Sequence, residues 1–364
     1  MRLHVEAGGG SYAVDIGPGL LDTLASTPGS SGLGGRVAVV TDAHVRSLWG
    51  EKLHGELRRA GIDSVLLEIP PGEGSKTLVQ AEVLWTRLIE SGFGRSDTVL
   101  ALGGGVVGDL AGFVAATFHR GMRLVHAPTT LLAQVDSSIG GKVAIDHRLG
   151  KNLIGAFHAP ARVVSDVSTL RTLPERERWN GLAEVVKTAL VLDRPFLEDL
   201  ETVLPELGPG GGDDEVWTGI VARTAGLKAR LVSEDELERG PRMLLNFGHT
   251  VGHALEAATG HGPLSHGEAV VLGMHAAVAV SERMGRLRAD EAARARALLD
   301  RFPAPPTIPR PASAEVRAAL GRDKKASAGR IRYIVLDGLG QGAAEPAISE
   351  ELLAFAIEQA LERL

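Results

Sequence analysis

The first half of the chain alternates mainly apolar runs with amphipathic segments, as expected of strands followed by helices. The apolar runs lie at residues 36–41, 64–69, 98–102 and 124–127, and helical periodicity occupies 54–60 and 78–91. Strands separated by helix-length segments are typical of a doubly wound parallel sheet. We therefore predict a Rossmann-like α/β domain over residues 1–168.

The pattern changes near residues 167–174, after which long amphipathic segments predominate. These segments span residues 175–192, 216–233, 247–259, 269–284, 290–301 and 350–364. Glycine- or proline-rich loops are expected at 208–212 and 303–311, and one late strand at 330–336. The fold class predicted for the whole chain is α/β, with a mainly α-helical second domain over residues 169–364.

The composition of the chain limits the kinds of partner and metal site that it can have. The length of 364 residues suits two domains. A formal net charge of -6 argues against a nucleic-acid or anionic-membrane partner. Because the chain has no cysteine, a bound metal must use His, Asp or Glu. No apolar run approaches the ~20 residues of a membrane span, and we expect a cytoplasmic protein.

A glycine-rich segment directly follows the third predicted strand. Gly103, Gly105 and Gly108 match G-x-G-x-x-G, which places backbone N–H groups near a bound pyrophosphate. No acidic residue follows about twenty positions later, so the ordinary dinucleotide fingerprint is incomplete. The segment is either a variant dinucleotide site or a tight turn. Asp42, after the first strand, is either a ribose contact or a helix N-cap.

Two short histidine motifs indicate a metal site. His249 and His253 share one helical face with Asn246 and Glu256. A second motif contains His266, and a buried glutamate is expected at Glu184, on the helical segment that also carries Lys187. Glu184, His249 and His266 would form a three-ligand zinc site with open positions, with His253 facing substrate. The alternative for each histidine is a hydrogen-bonded core residue.

Ten motifs in order resemble the 3-dehydroquinate synthase family of sugar phosphate cyclases over nearly the whole chain. They lie at residues 71–76, 103–109, 118–121, 128–132, 134–142, 149–152, 181–187, 238–253, 265–268 and 322–325. The resemblance implies a phosphate-eliminating lyase of the shikimate pathway. Its reaction converts 3-deoxy-D-arabino-heptulosonate 7-phosphate (DAHP) to 3-dehydroquinate and phosphate. The steps are oxidation by NAD, β-elimination, reduction, ring opening and intramolecular aldol closure.

The resemblance also implies two cofactors, NAD and one divalent metal, Zn²⁺ or Co²⁺. The metal ligands would be Glu184, His249 and His266. The residues implied at the NAD site are Asp42, Gly72, Glu73, Lys76, Gly104, Gly105, Val106, Asp109, Thr129, Thr130, Lys142, Lys151, Thr169, Leu170 and Thr172.

Substrate contacts follow from the same resemblance. The carbocycle would meet Asp136, Lys187, Lys228, Glu238, Arg242 and Asn246. The phosphate end would meet Lys142, Asn152, His253 and one of Lys324 and Lys325. Arg120 would reach the phosphate in a neighbouring subunit, which implies a homodimer. Of the basic residues, Lys142 and Lys187 are expected to be the least surface-like.

Three alternatives remain open at this point. The chain could be an amino-dehydroquinate synthase or another secondary-metabolic sugar phosphate cyclase. It could be a metal-dependent polyol or alcohol dehydrogenase, although those enzymes typically place a histidine one turn after the acidic ligand, where this chain has Thr188. A regulator that retains the fold would have lost catalytic positions, and none is lost.

Overall fold

The computed structural model describes residues 1–8, 10–26, 32–207, 211–260, 262–326 and 332–364, with the backbone alone for 321–326. The strands are β1 (Arg2–Ala7), β2 (Gly10–Gly17), β3 (Val37–Asp42), β4 (Ser64–Ile69), β5 (Thr98–Gly103), β6 (Arg123–Pro128), β7 (Lys142–His147), β8 (Gly150–Phe157), β9 (Arg162–Asp166), β10 (Tyr333–Gly338) and β11 (Gln341–Glu345). The helices are α1 (Leu20–Leu24), α2 (Ala43–Val45), α3 (Glu51–Arg59), α4 (Leu78–Glu90), α5 (Gly105–Thr117), α6 (Glu175–Leu192), α7 (Arg194–Val203), α8 (Asp214–Glu234), α9 (His249–Ala258), α10 (His266–Arg283), α11 (Ala289–Leu299), α12 (Ser313–Ala326) and α13 (Glu350–Leu361).

The chain forms two compact units. The first contains Met1–Arg178 and Gly212–Leu237, and the second contains Trp179–Gly211 and Glu238–Leu364. The first unit therefore includes α8, which packs against β1 and β2. The sequence predicted an NAD-binding domain over residues 1–168 and a metal- and substrate-binding domain over residues 169–364. That assignment of binding roles stays a prediction.

A seven-stranded sheet in the order β1-β2-β9-β6-β5-β3-β4 forms the centre of the first unit. All neighbours pair in parallel except β1 and β2 at one edge. The strands expected at 36–41, 64–69, 98–102 and 124–127 correspond to β3, β4, β5 and β6. The predicted Rossmann-like α/β fold is confirmed.

Both faces of this sheet are covered, which explains why its strands read as apolar runs. On β3, Ala38 and Val40 pack with the buried faces of α4 and α5. Val37 and Val39 point the other way, into a core shared with α1 and α3. Because successive strand side chains alternate between faces, both sets must be apolar. β7 and β8 form a separate antiparallel hairpin.

The second unit is mainly helical, as predicted, and it adds the β10–β11 hairpin. Its central element is α10, whose residues from Ala269 to Ser281 are all buried. This helix packs against α9, α11, α13 and β10.

Two predicted elements border residues outside the described part of the chain. The loop expected at 208–212 includes residues 208–210, and the strand expected at 330–336 begins with residues 330 and 331, none of which is described. The described part of that strand is β10, and residues 303–311 form a loop as predicted. Among the described residues, no helix has the length and apolar character needed to cross a membrane.

Candidate active site

Three candidate metal ligands converge within the second unit. Glu184 lies on α6, His249 begins α9 and His266 begins α10. Glu184 Oε1 lies 3.5 Å from His249 Nε2 and 3.4 Å from His266 Nε2. One ligand atom from each residue lies within 4.8 Å of the other two. The structure thus brings together the side chains that the sequence nominated.

The distances between Glu184 Oε1 and the two Nε2 atoms suit a metal site, and so does the lack of a hydrogen-bond partner for Glu184 Oε1 within the described part of the chain. In a tetrahedral site with bonds of about 2.1 Å, neighbouring donor atoms lie about 3.4 Å apart. The distances from Glu184 to the two histidines match this value. Glu184 Oε1 is also buried without a hydrogen-bond partner among the described residues. Leaving a buried carboxylate oxygen unsatisfied is unfavourable, and a divalent cation would satisfy it.

The protonation states of Glu184 and His249 also suit a metal, whereas His266 would have to give up a proton on binding one. His249 Nδ1 lies 3.2 Å from the carbonyl oxygen of Phe247, so it can donate there and leave the Nε2 lone pair facing Glu184. Burial and the charge of Lys187 lower the pKa of His249 well below its usual range. Burial opposes the ionisation of Glu184, but Lys187 and the histidines hold the pKa of that carboxyl well below its usual range.

Close helix contacts bring the ligands into position. A Cβ at Gly273 of α10 would lie 1.9 Å from the carbonyl oxygen of Gly248, at the start of α9. At the start of α10, a Cβ on Gly267 would lie 2.5 Å from the carbonyl oxygen of Asn180 on α6. Gly267 N donates to Asn180 Oδ1 at 2.5 Å. Glycine at these positions allows the three ligand-bearing helices to approach closely.

Other nominated residues surround this centre. Lys187 is buried on α6 and donates to Glu184 Oε2. The His253 ring, one turn beyond His249 on α9, is exposed, with its centroid 5.0 Å from that of His249. Asn246 Nδ2 donates to Glu238 Oε1 at 2.5 Å. Arg242 is buried in the 3₁₀ segment Pro241–Asn246. Lys324 and Lys325 lie where side chains are not described.

Glu256 was left without a role in the sequence interpretation. Its Oε2 lies 3.5 Å from His266 Nδ1, and the carboxylate is buried. Burial opposes protonation of His266, but the carboxylates of Glu184 and Glu256 raise the pKa of that imidazole to about 10. The position of Glu256, seven residues after His249 on the same helical face, is the sequence signal that could have indicated it.

In the first unit, the glycine-rich segment joins β5 to α5. Gly104 is the N-cap of α5, so the first backbone N–H groups of that helix face the loop. β6 lies beside β5 in parallel, and Thr129 N donates to the carbonyl oxygen of Gly103 at 2.9 Å. The nominated NAD contacts at this edge of the sheet are Gly104, Gly105, Val106, Thr129 and Thr130. This strand–loop–helix context is the one that a phosphate-binding segment requires.

Lys76 connects several nominated residues of the first unit. Its Nζ lies 2.6 Å from Asp109 Oδ2 and donates to Asn152 Oδ1. Glu73 Oε1 lies 3.9 Å from Lys76 Nζ and 3.8 Å from Lys151 Nζ. Burial opposes the charge of Lys76, but the carboxylates of Asp109, Glu73 and Asp146 together outweigh it and raise the pKa of the lysine. A nominated phosphate contact, Asn152, is therefore held by one nominated NAD contact, Lys76.

The carboxylate of Asp42 acts as a helix cap. Asp42 Oδ1 accepts from His44 N at 2.9 Å and from Val45 N at 3.0 Å, at the start of α2. Of the two alternatives raised by the sequence, the structure shows the N-cap, while the ribose contact stays a prediction. Gly72, the nominated residue before Glu73, has a φ of 92°, a backbone conformation that favours glycine.

The nominated residues at 169–172 lie in the 3₁₀ segment Val167–Thr172. Thr169 and Leu170 are buried. Gln134 Nε2 donates to Thr169 Oγ1, and Trp49 Nε1 donates to Thr172 Oγ1, both at 3.1 Å. These contacts fix the segment, and its role toward NAD stays a prediction.

Three nominated lysines differ in their environments. Lys228 of α8 donates to Asp136 Oδ1 at 2.6 Å and to the Asp136 carbonyl oxygen at 2.7 Å, so these two nominated substrate contacts meet. Lys187 is buried as expected, whereas Lys142 is exposed. The expectation for Lys142 was wrong because it opens the β7–β8 hairpin, which is covered on one side only: α5 packs against β7.

Backbone strain coincides with the nominated residues. Among the described residues, the non-glycine positions with positive φ are His119 (49°), Arg120 (63°), Asn152 (57°) and Glu238 (57°). Such conformations are unfavourable by about 1–3 kcal/mol and cluster at functional sites. Three of the four positions were nominated from the sequence, and the fourth adjoins one of them.

Family models match most of the chain. Residues 66–180 match the model described as 3-dehydroquinate synthase N-terminal, and residues 181–326 match the one described as 3-dehydroquinate synthase C-terminal. A curated 3-dehydroquinate synthase of Caulobacter vibrioides is 46% identical over 363 residues, which cover 98% of this chain and 98% of that protein.

Two solved structures share the fold over their whole length. A 2-deoxy-scyllo-inosose synthase complexed with carbaglucose-6-phosphate, NAD⁺ and Co²⁺ gives a TM-score of 0.88 at 26% identity, with 100% of each chain covered. The 2-epi-5-epi-valiolone synthase of Streptomyces hygroscopicus subsp. jinggangensis 5008, with NAD⁺ and Zn²⁺ bound, gives 0.86 at 28% identity, with 99% of each chain covered.

Proposed function

Since the chain belongs to the 3-dehydroquinate synthase family, we propose that it converts DAHP to 3-dehydroquinate and phosphate. The observation that carries this proposal is the buried, unsatisfied Glu184 Oε1 facing two imidazole nitrogens. A redox-assisted elimination would benefit from such a centre, because a cation held there would lower the pKa of the substrate hydroxyl whose carbon gives up hydride. We also propose a cytoplasmic location and no nucleic-acid or membrane partner.

The proposed cofactors are NAD and one Zn²⁺ or Co²⁺. Their support is the donor set of the second unit, the glycine-rich segment of the first, and the NAD⁺, Co²⁺ and Zn²⁺ bound in the two similar structures. When bound, the metal would polarise substrate hydroxyls, and NAD would accept a hydride and later return it. Glu184, His249 and His266 would hold the metal.

Lys187 orients the Glu184 carboxylate for metal binding and keeps it ionised. Its ammonium group donates to Glu184 Oε2, which leaves Oε1 directed toward the two histidines. The same charge keeps the carboxylate ionised in a buried environment. Lys187 thereby leaves Glu184 Oε1 available to bind the metal. From the same position, its ammonium group would contact the substrate carbocycle, as the sequence predicted.

Other side chains of the second unit suit the remaining groups of the substrate. Arg242 is a buried guanidinium, a good partner for the substrate carboxylate. Asn246 and Glu238, which are hydrogen-bonded together, offer acceptors and donors to hydroxyl groups. His253 is exposed beside the ligand His249, and we assign it to phosphate orientation and proton relay.

The direct test is an incubation of the protein with DAHP, catalytic NAD and Zn²⁺ or Co²⁺. We expect phosphate and 3-dehydroquinate to form in equal amounts, with NAD regenerated and activity lost on treatment with EDTA. Phosphate release without dehydroquinate, or activity that resists EDTA, would contradict the proposal. Matched incubations with an amino analogue of DAHP and with glucose 6-phosphate test the alternative cyclase activities.

The alternatives have less support than the synthase. The inosose and valiolone synthases are 26% and 28% identical to this chain, compared with 46% for the Caulobacter synthase. Against a dehydrogenase, the residue one turn after Glu184 is Thr188, which is buried and is not the histidine typical of those enzymes.

We further propose a homodimer in which Arg120 serves the neighbouring active site. Arg120 is exposed at the end of the 3₁₀ segment Phe118–Arg120 that follows α5, and its backbone is in the left-handed conformation. The β7–β8 hairpin of the same unit exposes the apolar residues Leu149, Leu153 and Phe157. Contiguous exposed apolar surface is typical of protein interfaces.

Mixing two inactive variants tests this arrangement. Arg120→Ala and His253→Ala should each lower turnover, by roughly a hundredfold or more for the histidine. If Arg120 acts in the partner subunit, a mixed dimer contains one intact site and one site lacking both residues. Random mixing by co-expression should then restore about a quarter of the sites.

The control is each variant co-expressed with a second, differently tagged copy of itself, which should restore nothing. Purification through both tags isolates the mixed dimers. If the mixed dimers stay inactive although both single variants are folded and dimeric, Arg120 acts within its own subunit. If Arg120→Ala alone turns over at the wild-type rate, Arg120 has no role in either site.

A further inference from the structure

Glu256 differs from the other residues near the metal centre because neither the motifs nor the redox chemistry requires it. It is the eighth residue of α9, seven residues after His249, and its side chain is buried. The ligand His266 comes from the next helix, and its Nδ1 lies 3.5 Å from Glu256 Oε2. The imidazole of His266 therefore lies between two carboxylates, with Nε2 toward Glu184 and Nδ1 toward Glu256.

The two candidate ligand histidines have different second partners. His249 Nδ1 faces the backbone carbonyl oxygen of Phe247, a neutral acceptor. His266 Nδ1 faces an ionisable carboxylate. An acceptor at the distal nitrogen fixes the tautomer and ring orientation of a metal-binding histidine, and a carboxylate also makes its other nitrogen a stronger donor.

His266 has particular need of such an anchor. As the first residue of α10 it is preceded by the N-cap Ser265, whose capping box with Glu268 fixes the backbone there but not the imidazole ring. The ring is 28% exposed, compared with 12% for His249. A partly exposed ring has more rotational freedom to lose on binding a metal, unless a buried partner limits that freedom beforehand.

We propose that Glu256 is a positioning residue, which accepts the Nδ1–H of His266, aims its Nε2 at the metal and strengthens metal binding. The inference rests on the proposed function, because it assumes that Glu184, His249 and His266 hold a metal. Glu256 itself would not touch the metal or the substrate. A competing assignment uses His253, Glu256 and His266 as ligands of a second metal ion, since their donor atoms also lie within 4.8 Å of one another.

The test replaces Glu256 with glutamine, which keeps the size of the side chain and removes its charge. Zn²⁺ affinity is measured by competition with a chromophoric chelator, and the Co²⁺-loaded protein is examined by absorption spectroscopy. We expect Glu256→Gln to weaken Zn²⁺ binding about 10- to 100-fold and to shift the cobalt bands. Glu282→Gln is the matched control, because it removes one carboxylate from the far end of α10 and should leave both measurements unchanged.

The metal content and affinity of the two proteins distinguish a positioning role of Glu256 from a role as metal ligand. If wild type binds one metal and Glu256→Gln matches it in affinity and spectrum, the positioning role is wrong while the proposed function stands. Two metals in wild type and one in the variant would make Glu256 a ligand. Wild type without metal would overturn the proposed function together with this inference. Should the glutamine variant fail to fold, Glu256→Asp withdraws the carboxylate by one methylene, and unchanged affinity there would equally contradict the role.

Discussion

Replacing His249 with alanine should leave the centre without metal and lower the turnover number about a thousandfold or more, since Lewis-acid stabilisation supplies several kcal/mol. The remaining ligands, Glu184 and His266, would keep a carboxylate oxygen and one imidazole nitrogen. Two ligands rarely retain a catalytic metal, for which three protein ligands are typical.

His253→Ala provides the matched contrast. The two histidines lie one turn apart on α9, and their ring centroids are 5.0 Å apart. We expect His253→Ala to keep its full metal content and to lose about 10²- to 10⁴-fold in turnover, the range for a general acid–base group. The same truncation on the same helix should thus separate metal binding from proton transfer.

Metal content per subunit by atomic emission and steady-state turnover provide the two measurements. Circular dichroism of both variants establishes that α9 and the rest of the fold are retained. The ligand assignment is wrong if His249→Ala retains a full equivalent of metal. The assignment of His253 is wrong if its variant turns over at nearly the wild-type rate, or if it loses the metal instead.

We expect a second large effect, on stability and metal binding, from adding one methyl group at Gly273. Gly273→Ala would place its Cβ 1.9 Å from the carbonyl oxygen of Gly248, a backbone atom that no side-chain rotation can move away. Helices α9 and α10 would have to separate, and these two helices carry His249 and His266. We expect a loss of about 3 kcal/mol or more in the free energy of unfolding, together with loss of bound metal.

The matched control is the same substitution where space allows it. Gly219 lies on the exposed side of α8, and a Cβ there would meet nothing within 4 Å. Gly219→Ala should stabilise the protein by about 0.5–1 kcal/mol, because alanine loses less backbone entropy in a helix. Thermal melts with and without Zn²⁺ compare the two variants. Equal melting temperatures would show that α9 and α10 tolerate separation.

The parts of the fold that could be predicted are those where burial dictates the sequence. β3 and β5 are buried on both faces, and their apolar runs revealed them. The strands β1, β2, β7, β8, β9 and β11 were not foreseen. β8 shows why, since six of its eight residues are exposed and its sequence has no alternation of apolar and polar positions. Its pairing with β7 creates the strand, and pairing is not a local property.

In the candidate site, too, some features could be predicted from the sequence and others depend on tertiary packing. Two histidine motifs nominated His249 and His266, the helical segment with Lys187 nominated Glu184, and these three converge in space. Contacts that depend on how helices or loops approach one another could not be read from the sequence. Glu256 meets His266 only because α9 and α10 lie close together, and Lys76, which precedes α4, meets Asn152 on β8. A residue type at a given spacing suggests a ligand, but it does not identify the second partner of that ligand.

The separation of the ligands along the chain has a consequence in polymer terms. A metal held by residues 184, 249 and 266 would act as a cross-link that closes long loops of the chain. The entropy of closing a flexible loop changes only with the logarithm of its length, about 0.6 kcal/mol for each doubling. The stabilisation expected from this cross-link therefore depends little on the exact lengths of those loops, whereas loss of one anchoring side chain opens the cross-link.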